Sequence, residues 1–557
     1  MNKYHIADVQ GMGQFIFNKI ERVKMANSTT QHFLDFVVIW NNIDEYPTVA
    51  DVAEKLDCTL EGAKSRARRY RDTRKKEPQL KLPKIANRHN VKDGLIEFHE
   101  DELINLGNHL TPDDLAGHKK FIVTSAQFGA KVNKAFLKSL QAYAKEENAQ
   151  LVILPIRYGR TLDPIKEELR PFVLYENAAL NSNIQLNQIK IRPTIAKPLT
   201  SLKKTGGRRG QIFAHPKIAM RMIARDDLNI PKPIMTTGAV TYPNYKLDKT
   251  GMIAERDHCF GAVLVDVVDE KRYHFRHIQA VNEKSFQDSI TMKKYTPKGV
   301  EKAKVESIKL GDWHTWWTCP IVRKATFGKG GIIEHMKPKS IFLEDLFDAT
   351  SISHHDEGNG IVKVQKSEAG LNNLQKELDD NVKELRYILR RSNGAKIYIT
   401  ASNHNEHLDK YLQSGRYKPD SQPHNTLIGN ELFNMVAKSN KGAFELYMRK
   451  FVKSKRVTFL SRDDSVIIEG CKMDMHGDLG ANGSRGSLEQ FDTLFNSTLT
   501  GHAHQPAIEG TAYQTGTSTI LDMPYVRGPS SWAHTHGVVF KGGQKQLVNI
   551  IKGCWGL

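Results

Sequence analysis

Cysteine is scarce in this chain of 557 residues: its five examples, Cys58, Cys259, Cys319, Cys471 and Cys554, lie far apart and form no CxxC pair. That spacing argues against a disulfide framework and a thiolate zinc site, so reduced thiols are expected. Long apolar runs are missing as well. None reaches the roughly 18 residues that a membrane-spanning helix needs, and residues 1–19 lack the apolar centre of a secretion signal. A cytoplasmic protein without membrane association is therefore expected. The turn at 124–129 lacks GxGxxG spacing, which removes the reason to expect a dinucleotide site there. Apolar residues are in ordinary supply: a hydrophobic fraction of 39% with 26% charged residues argues against disorder along the whole chain. At roughly 150 residues per domain, the length implies three or four domains rather than one core.

Negative charge is outnumbered. Lys+Arg 81 against Asp+Glu 62 gives a formal net charge of +19, which draws a soluble protein towards polyanions, nucleic acid above all, without naming any chemistry. The excess is concentrated: residues 61–88 hold eleven Lys/Arg and three Asp/Glu. Apolar spacing makes residues 1–110 a helical region. Phe33, Phe36, Val37 and Trp40 form one inward face, Val49, Val52, Ala53 and Leu56 a second after a Thr48 cap, and Leu60, Ala63 and Ala67 a third after Thr59. Two short helices across the break at 57–58 read as a helix-turn-helix. The second is basic nearly all round, making Lys64, Arg66, Arg68, Arg69, Arg71 and Arg74 the candidate DNA contacts. The plainer alternatives are a solvated helix face and a protein-docking module. "TVADVAEKLDCTLEGAKSRARRYRD" is similar to the helix-turn-helix of sigma-factor-like DNA-binding regions.

Residues 111–304 read as a middle α/β region. Apolar runs at 121–123 and 151–154 flank a helix marked by Val132, Phe136, Leu140 and Ala144, one βαβ unit. Further strand-like runs stand at 233–237 and 261–268. The basic glycine-rich stretch 202–210, "LKKTGGRRG", is either a plain surface loop or a flexible phosphate-contacting one. No chemistry is assignable to this region.

In 305–557, polar clusters follow successive strand-like runs: Asp312 and His314 after "VESIKLG", Asp345 and Asp348 after "KSIFLE", Asn403 and His404 after "AKIYITAS", His476 in "CKMDMHGD", and His502 and His504 after "FNSTLTG". Loops at the carboxyl ends of strands converge in open α/β sheets, so five such ends can supply one site. Residues two apart in extended chain point the same way, which would let each D-x-H or H-x-H pair offer two ligands to one point. A lone H-x-H carries no information: 22 His predict roughly one such triplet by chance, and His534 with His536 forms another. The ordered series is what chance does not give.

That series, with "HGDLGANGSRGS", "GHAHQP" and "GTSTILDMPYVRGPSSW", resembles the calcineurin-like metallophosphoesterase superfamily over 305–557, most closely a bacteriophage branch. The whole chain, basic helix-turn-helix included, resembles early-expressed, host-DNA-degrading nucleases of large siphophages. The resemblance implies an α/β fold whose C-terminal domain is a two-sheet sandwich with flanking helices. It also implies two divalent metal ions, with Asp312, His314 and His504 holding one, Asn403, His476 and His502 the other, and Asp345 bridging. Mixed imidazole, carboxylate and amide donors suit Mn²⁺, Fe or Zn²⁺ better than Ca²⁺, and Mn²⁺ is the expected ion. His404 becomes the expected general acid and Asp348 the group that orients its ring. Two positions depart from the superfamily pattern: Glu344 stands where a glycine is usual, and Asn405 where an acidic residue follows Asn-His.

The expected activity is metal-dependent hydrolysis of DNA phosphodiester bonds, with DNA as partner; a homo-oligomer is compatible with the sequence. The rival readings are a metallophosphatase, an RNA phosphodiesterase, or a DNA-binding regulator with the phosphoesterase domain as scaffold. Ala349-Thr350, where Ser/Thr protein phosphatases carry Arg-Gly, speaks against that class. Trp313, Trp316 and Trp317 could stack bases or fill the core. Arg485 is a candidate phosphate contact. His354 and His355 read as loop residues, and Leu371, Leu374, Leu378, Leu385 and Leu389 as one amphipathic helix ending near Gly394.

Overall fold

The computed structural model describes residues 108–157, 164–225, 231–523, 526 and 528–556, and before them residues 49–56 with Phe36, Ile39, Trp40, Ala63, Ser65, Ala67, Arg68 and Tyr70. The chain separates into two compact units, Met1–Glu97 and Phe98–Leu557.

In the first unit the helix Val49–Lys55 shares a small core with the helical residues at 63, 67 and 70. Phe36, Trp40, Val52, Ala53, Ala63, Ala67 and Tyr70 are all buried in it. Apart from Tyr70, these are positions the apolar spacing turns inward. Arg68 is helical and exposed. The expected turn of the helix-turn-helix, with Lys64, Arg66, Arg69, Arg71 and Arg74, lies outside the described residues.

The second unit is mixed α/β. Its βαβ unit is present: Lys120–Gln127 and Gln150–Ile156 pair in parallel around the helix Lys134–Glu146, which Asn133 caps by accepting from the Phe136 N–H at 3.0 Å. Gly261–Val267 and Tyr273–Gln279 complete a four-stranded sheet. A six-stranded sheet runs in the order Val457–Phe459, Lys396–Ile399, Ser340–Leu343, Val305–Lys309, Thr535–Phe540, Lys545–Asn549. Its first four strands are parallel and its last two antiparallel. One face of this sheet is packed by helices, among them Leu374–Arg391, which buries Leu374, Leu378 and Leu385 as the leucine spacing predicts; Ile388 takes the buried position expected of Leu389, which is half-buried, and Leu371 lies before the helix.

The sequence-based boundary at 304/305 falls inside a continuous sheet. Ala219–Ile223, from the middle region, pairs antiparallel with Ala507–Glu509, with Ile508 opposite Met220. Five strands from each side of that boundary thus form one ten-stranded sheet. Without this partner Ala507–Glu509 would present an unpaired edge. Phe121, Val123 and Val265 of the four-stranded sheet, Met220, Ile508 and Tyr513 of the ten-stranded sheet and Phe342 and Val539 of the six-stranded sheet share one core. Local apolar spacing shows which residues are buried but not which strands share a sheet.

Candidate metal centre

Each polar cluster in 305–557 does follow a strand, but the strands belong to two sheets. Val305–Lys309, Ser340–Leu343 and Lys396–Ile399 lie in the six-stranded sheet; Cys471–Lys472 and Thr498–Thr500 lie in the ten-stranded one. The cluster therefore forms where loops of two sheets meet, not along the edge of one open sheet. Strand alternation does not create the convergence either. His314, Asp345, His502 and His504 have φ of +44°, +46°, +72° and +57°, the left-handed region. Their side chains converge because the backbone turns sharply at each of them, a conformation that costs of order 1–3 kcal/mol per non-glycine residue and is characteristic of ligand-holding loops.

The buried heart comprises Asp312, His314, Asp345 and His504, whose ligand-type atoms all lie within 4.8 Å of one another. His504 Nε2 stands 3.1 Å from Asp312 Oδ2 and 3.3 Å from His314 Nε2, and His314 Nε2 lies 3.5 Å from Asp345 Oδ2. On the other side of Asp345, His476 Nε2 is 3.2 Å from the same Oδ2. His502 lies beside it, the two rings 5.1 Å apart. Asp345 thus stands between two histidine groups, and Gly501 leaves the room: a Cβ there would come within 1.9 Å of Glu344 Oε2 and 2.4 Å of Asp312 Oδ1.

Two carboxylates stand behind these histidines. Asp348 Oδ1 accepts from His314 Nδ1 at 2.6 Å, which turns His314 Nε2 towards the cluster. Glu344 Oε2 lies 3.7 Å from His476 Nδ1, while Glu344 Oε1 accepts from the fully buried Lys309 ammonium at 2.6 Å. Sequence reasoning notes Glu344 only as a departure from pattern and passes over Lys309. The signal was a lysine in an apolar strand three residues before Asp312. Burial alone would push His314 down, but the Asp348 hydrogen bond and the charges of Asp348, Asp345 and Asp312 outweigh it and raise its pKa to about 9. Burial likewise opposes, and the charge of Asp345 overcomes, a rise of His476 well above the imidazole range. Asp345 is held well below the carboxylate range, burial being outweighed by His476 and His404. Protons thus balance the carboxylates, and an ion taking their place would release them.

His404 requires a correction. The Asp348 carboxylate stays 3.8 Å from His404 Nδ1, and it is the Asp348 main-chain carbonyl that accepts from His404 Nδ1, at 2.8 Å. The ring is oriented through the backbone, because the carboxylate is already engaged by His314, Thr350 Oγ1 and the Trp317 indole N–H. Glu377, fully buried, accepts from the backbone N–H groups of Thr350 and Ser351 and fixes the loop after Asp348. The three tryptophans divide. Trp313 is in the core, its N–H on Glu384, which removes it as a base-stacking surface; half-buried Trp316 donates to Asp380 and Trp317 to Asp348. His354 is not isolated: a row of imidazoles runs from His314 to His404, His407 and His354 at ring distances of 4.7, 5.1 and 5.3 Å. Arg485 is exposed, opposite Leu479 in an isolated bridge.

The donor set fits a bound cation. Both Oδ atoms of Asp312, Asp345 Oδ1, Glu344 Oε2, Asn403 Oδ1, both ring nitrogens of His476 and His504 Nδ1 are buried and form no hydrogen bond, the contacts of Asp312 Oδ2, Glu344 Oε2 and the His476 nitrogens at 3.1–3.7 Å being ion pairs only. Such orphaned groups are costly unless something outside the protein completes them. Among the described residues no helix is long and apolar enough to cross a membrane.

No protein-family model and no solved structure matches the chain. It is similar to Protein A1 of Escherichia phage T5, at 28% identity over 466 residues that cover 78% of this chain and 82% of that one.

Proposed function

We propose that this protein is a phage-encoded, divalent-metal-dependent phosphodiesterase that hydrolyses DNA, serving host DNA degradation during infection. The observation that carries the reading is the convergence of buried carboxylate and imidazole atoms from loops of two sheets on one place, many of them without a hydrogen bond. In this reading Asp312, His314 and His504 hold one ion, Asn403, His476 and His502 a second, and Asp345 both. Two such ions, Mn²⁺ for preference, would supply Lewis-acid stabilisation of a phosphoryl group. The remaining work falls to the chain. With Nδ1–H committed to the Asp348 carbonyl, His404 keeps Nε2 free to carry a proton to the departing oxygen. Asp348 and Glu344 set the rings of His314 and His476. The basic helical segment, with Lys64, Arg66, Arg68, Arg69, Arg71 and Arg74, raises affinity for DNA, and Arg485 contacts a phosphate. Similarity to a phage protein over most of the chain supports the biological setting.

The test is incubation of the purified protein with linear DNA, circular DNA, RNA and a chromogenic phosphate ester, each with Mn²⁺, Mg²⁺ or excess chelator. Cleavage of DNA that chelator abolishes and Mn²⁺ restores is expected. Preference for RNA or for a phosphomonoester would replace the substrate, and DNA cleavage persisting in chelator would overturn the metal chemistry.

A further inference from the structure

The basic stretch 202–209 is neither loose nor alone. Residues 177–225 contain ten Lys/Arg and no Asp or Glu, so this segment and 61–88 together account for nearly all of the chain's net +19. Within it Lys203, Lys204, Arg208 and Arg209 are exposed. The loop carrying them is built rather than flexible. Lys232, itself 3% exposed, donates from Nζ to the carbonyls of Lys203 (3.3 Å), Thr205 (2.5 Å) and Gly207 (2.8 Å). Those carbonyls can turn inward because Gly206 and Gly207 take φ of +66° and +57°, and a Cβ on Gly206 would collide with the Gln211 side chain at 1.8 Å. Leu202 packs on the small core of Ile191, Leu199, Phe213 and Ile234 beneath it. A lysine buried to hold three carbonyls spends its charge on loop shape, while Lys203, Lys204, Arg208 and Arg209 stay exposed, Arg209 also donating to the Ser182 carbonyl and Gln185 Oε1.

Strand register fixes which end of the sheet this loop occupies. Thr498–Thr500 runs into the His502–His504 loop, and Thr500 stands opposite Gln514, which stands opposite Ala507. Ile508 pairs with Met220, and Gln505, next to His504, donates to the Met222 carbonyl at 2.5 Å. Ile223 is opposite Lys232, and the strand Lys232–Thr236 runs parallel to Gly210–Phe213, with Ile234 opposite Gln211. The amino ends of those two strands, Lys232 and Gly210, therefore lie at the same end of the sheet as His502 and His504. Gly210–Phe213 is three strand positions from Ala507–Glu509, on the order of 14 Å at ordinary strand spacing. That is about four phosphates along one strand of a duplex.

We infer that the pinned loop 202–209 is a second DNA-backbone contact, which seats the duplex at the sheet end carrying the candidate metal centre, independently of the N-terminal helical segment. This deepens the phosphodiesterase reading and rests on it for the identity of the polyanion. Because the loop is ordered before DNA arrives, binding loses little conformational freedom. It offers charge without base-reading groups, so the contact is sequence-independent.

The experiment compares wild type with K203Q/K204Q/R208Q/R209Q and with a control that neutralises four exposed lysines elsewhere, K298Q/K302Q/K438Q/K455Q. Affinity for a labelled duplex is measured in chelator across a salt series, in the full chain and again in an R66Q/R68Q/R69Q background. The loop variant should lose at least about tenfold in affinity and about 3 to 4 units of the slope of log K against log salt, in both backgrounds, while the control loses clearly less. Equal losses in loop variant and control, or an unchanged slope, would overturn the inference. Hydrolysis of a small chromogenic phosphodiester with Mn²⁺ should be the same in wild type and loop variant. If wild type hydrolyses neither that ester nor DNA while the loop variant still loses affinity, the phosphodiesterase reading fails and the DNA contact stands.

Discussion

Two charge clusters with buried cores lie in the same compact unit, and they differ in how far their polar atoms are paired. Around Arg276 the guanidinium engages Asp266 and both oxygens of Asp288, with Tyr143 Oη at 3.4 Å. Only Asp266 Oδ1 is left without a partner. Among the candidate ligands and Glu344, eight buried nitrogen and oxygen atoms of six residues form no hydrogen bond, and the backbone at four of the candidate ligands, His314, Asp345, His502 and His504, is left-handed. The first cluster is nearly complete in itself, as a polar core must be to be tolerated. The second leaves buried donors that could hold a metal ion. Burial is shared by the two, so burial by itself does not single out the candidate site; the number of polar atoms left without a hydrogen bond does.

That comparison can be broken most directly at Asp345. D345A should abolish DNA cleavage and metal uptake at both positions, read by metal analysis and cleavage on one preparation, while the metal-free protein unfolds at an unchanged or higher temperature. A large loss of stability with metals retained would make Asp345 a partner like Asp288. Next is H404A, which should keep metal content and DNA affinity while single-turnover cleavage falls by about 10² to 10⁴; a fall within about threefold would remove His404 from proton transfer. The converse variant is R276M. It should cost about 3–5 kcal/mol of stability by leaving two buried carboxylates unpaired, with cleavage per folded molecule kept. A smaller effect belongs to Glu344: E344Q should weaken metal affinity by about 10- to 100-fold, as loss of a group orienting a ligand does, with the weaker of two binding steps affected. Equal affinity would make Glu344 only a partner of Lys309.

The smallest effect concerns pH. Burial holds His215, His277 and His536 neutral, with pKa near 4, 4 and 3 against 6.5 when exposed. His277 Nε2 donates to the Thr236 carbonyl, and His536 Nδ1 accepts from the Gly311 N–H while Nε2 donates to Thr326. A depressed histidine contributes stability that is full above pH 6.5 and is lost as pH falls towards the folded-state pKa. The thermal midpoint should therefore drop between pH 6.5 and 4, and H277Q should flatten that drop. An identical acid profile for H277Q would place the loss elsewhere.

The sequence by itself determined the chemistry available. Strand-ending clusters at 312–314, 345–348, 403–404, 476 and 502–504, the βαβ unit and the long leucine-striped helix were legible because side-chain identity and apolar period are local properties. Long-range pairing decided the rest. That Ala219–Ile223 completes the sheet behind His504, that Asp348 turns its carboxylate to His314 and its carbonyl to His404, and that Glu344 stands behind His476 depend on residues dozens to hundreds apart in sequence. The same holds for the basic loop: its composition reads as a plain surface loop or a flexible phosphate-contacting one, and its shape is held by Lys232, a strand away, reaching three of its carbonyls. Propensity describes a residue in its own neighbourhood, whereas the direction of a buried polar group is set by whichever distant partner the packed sheets bring to it.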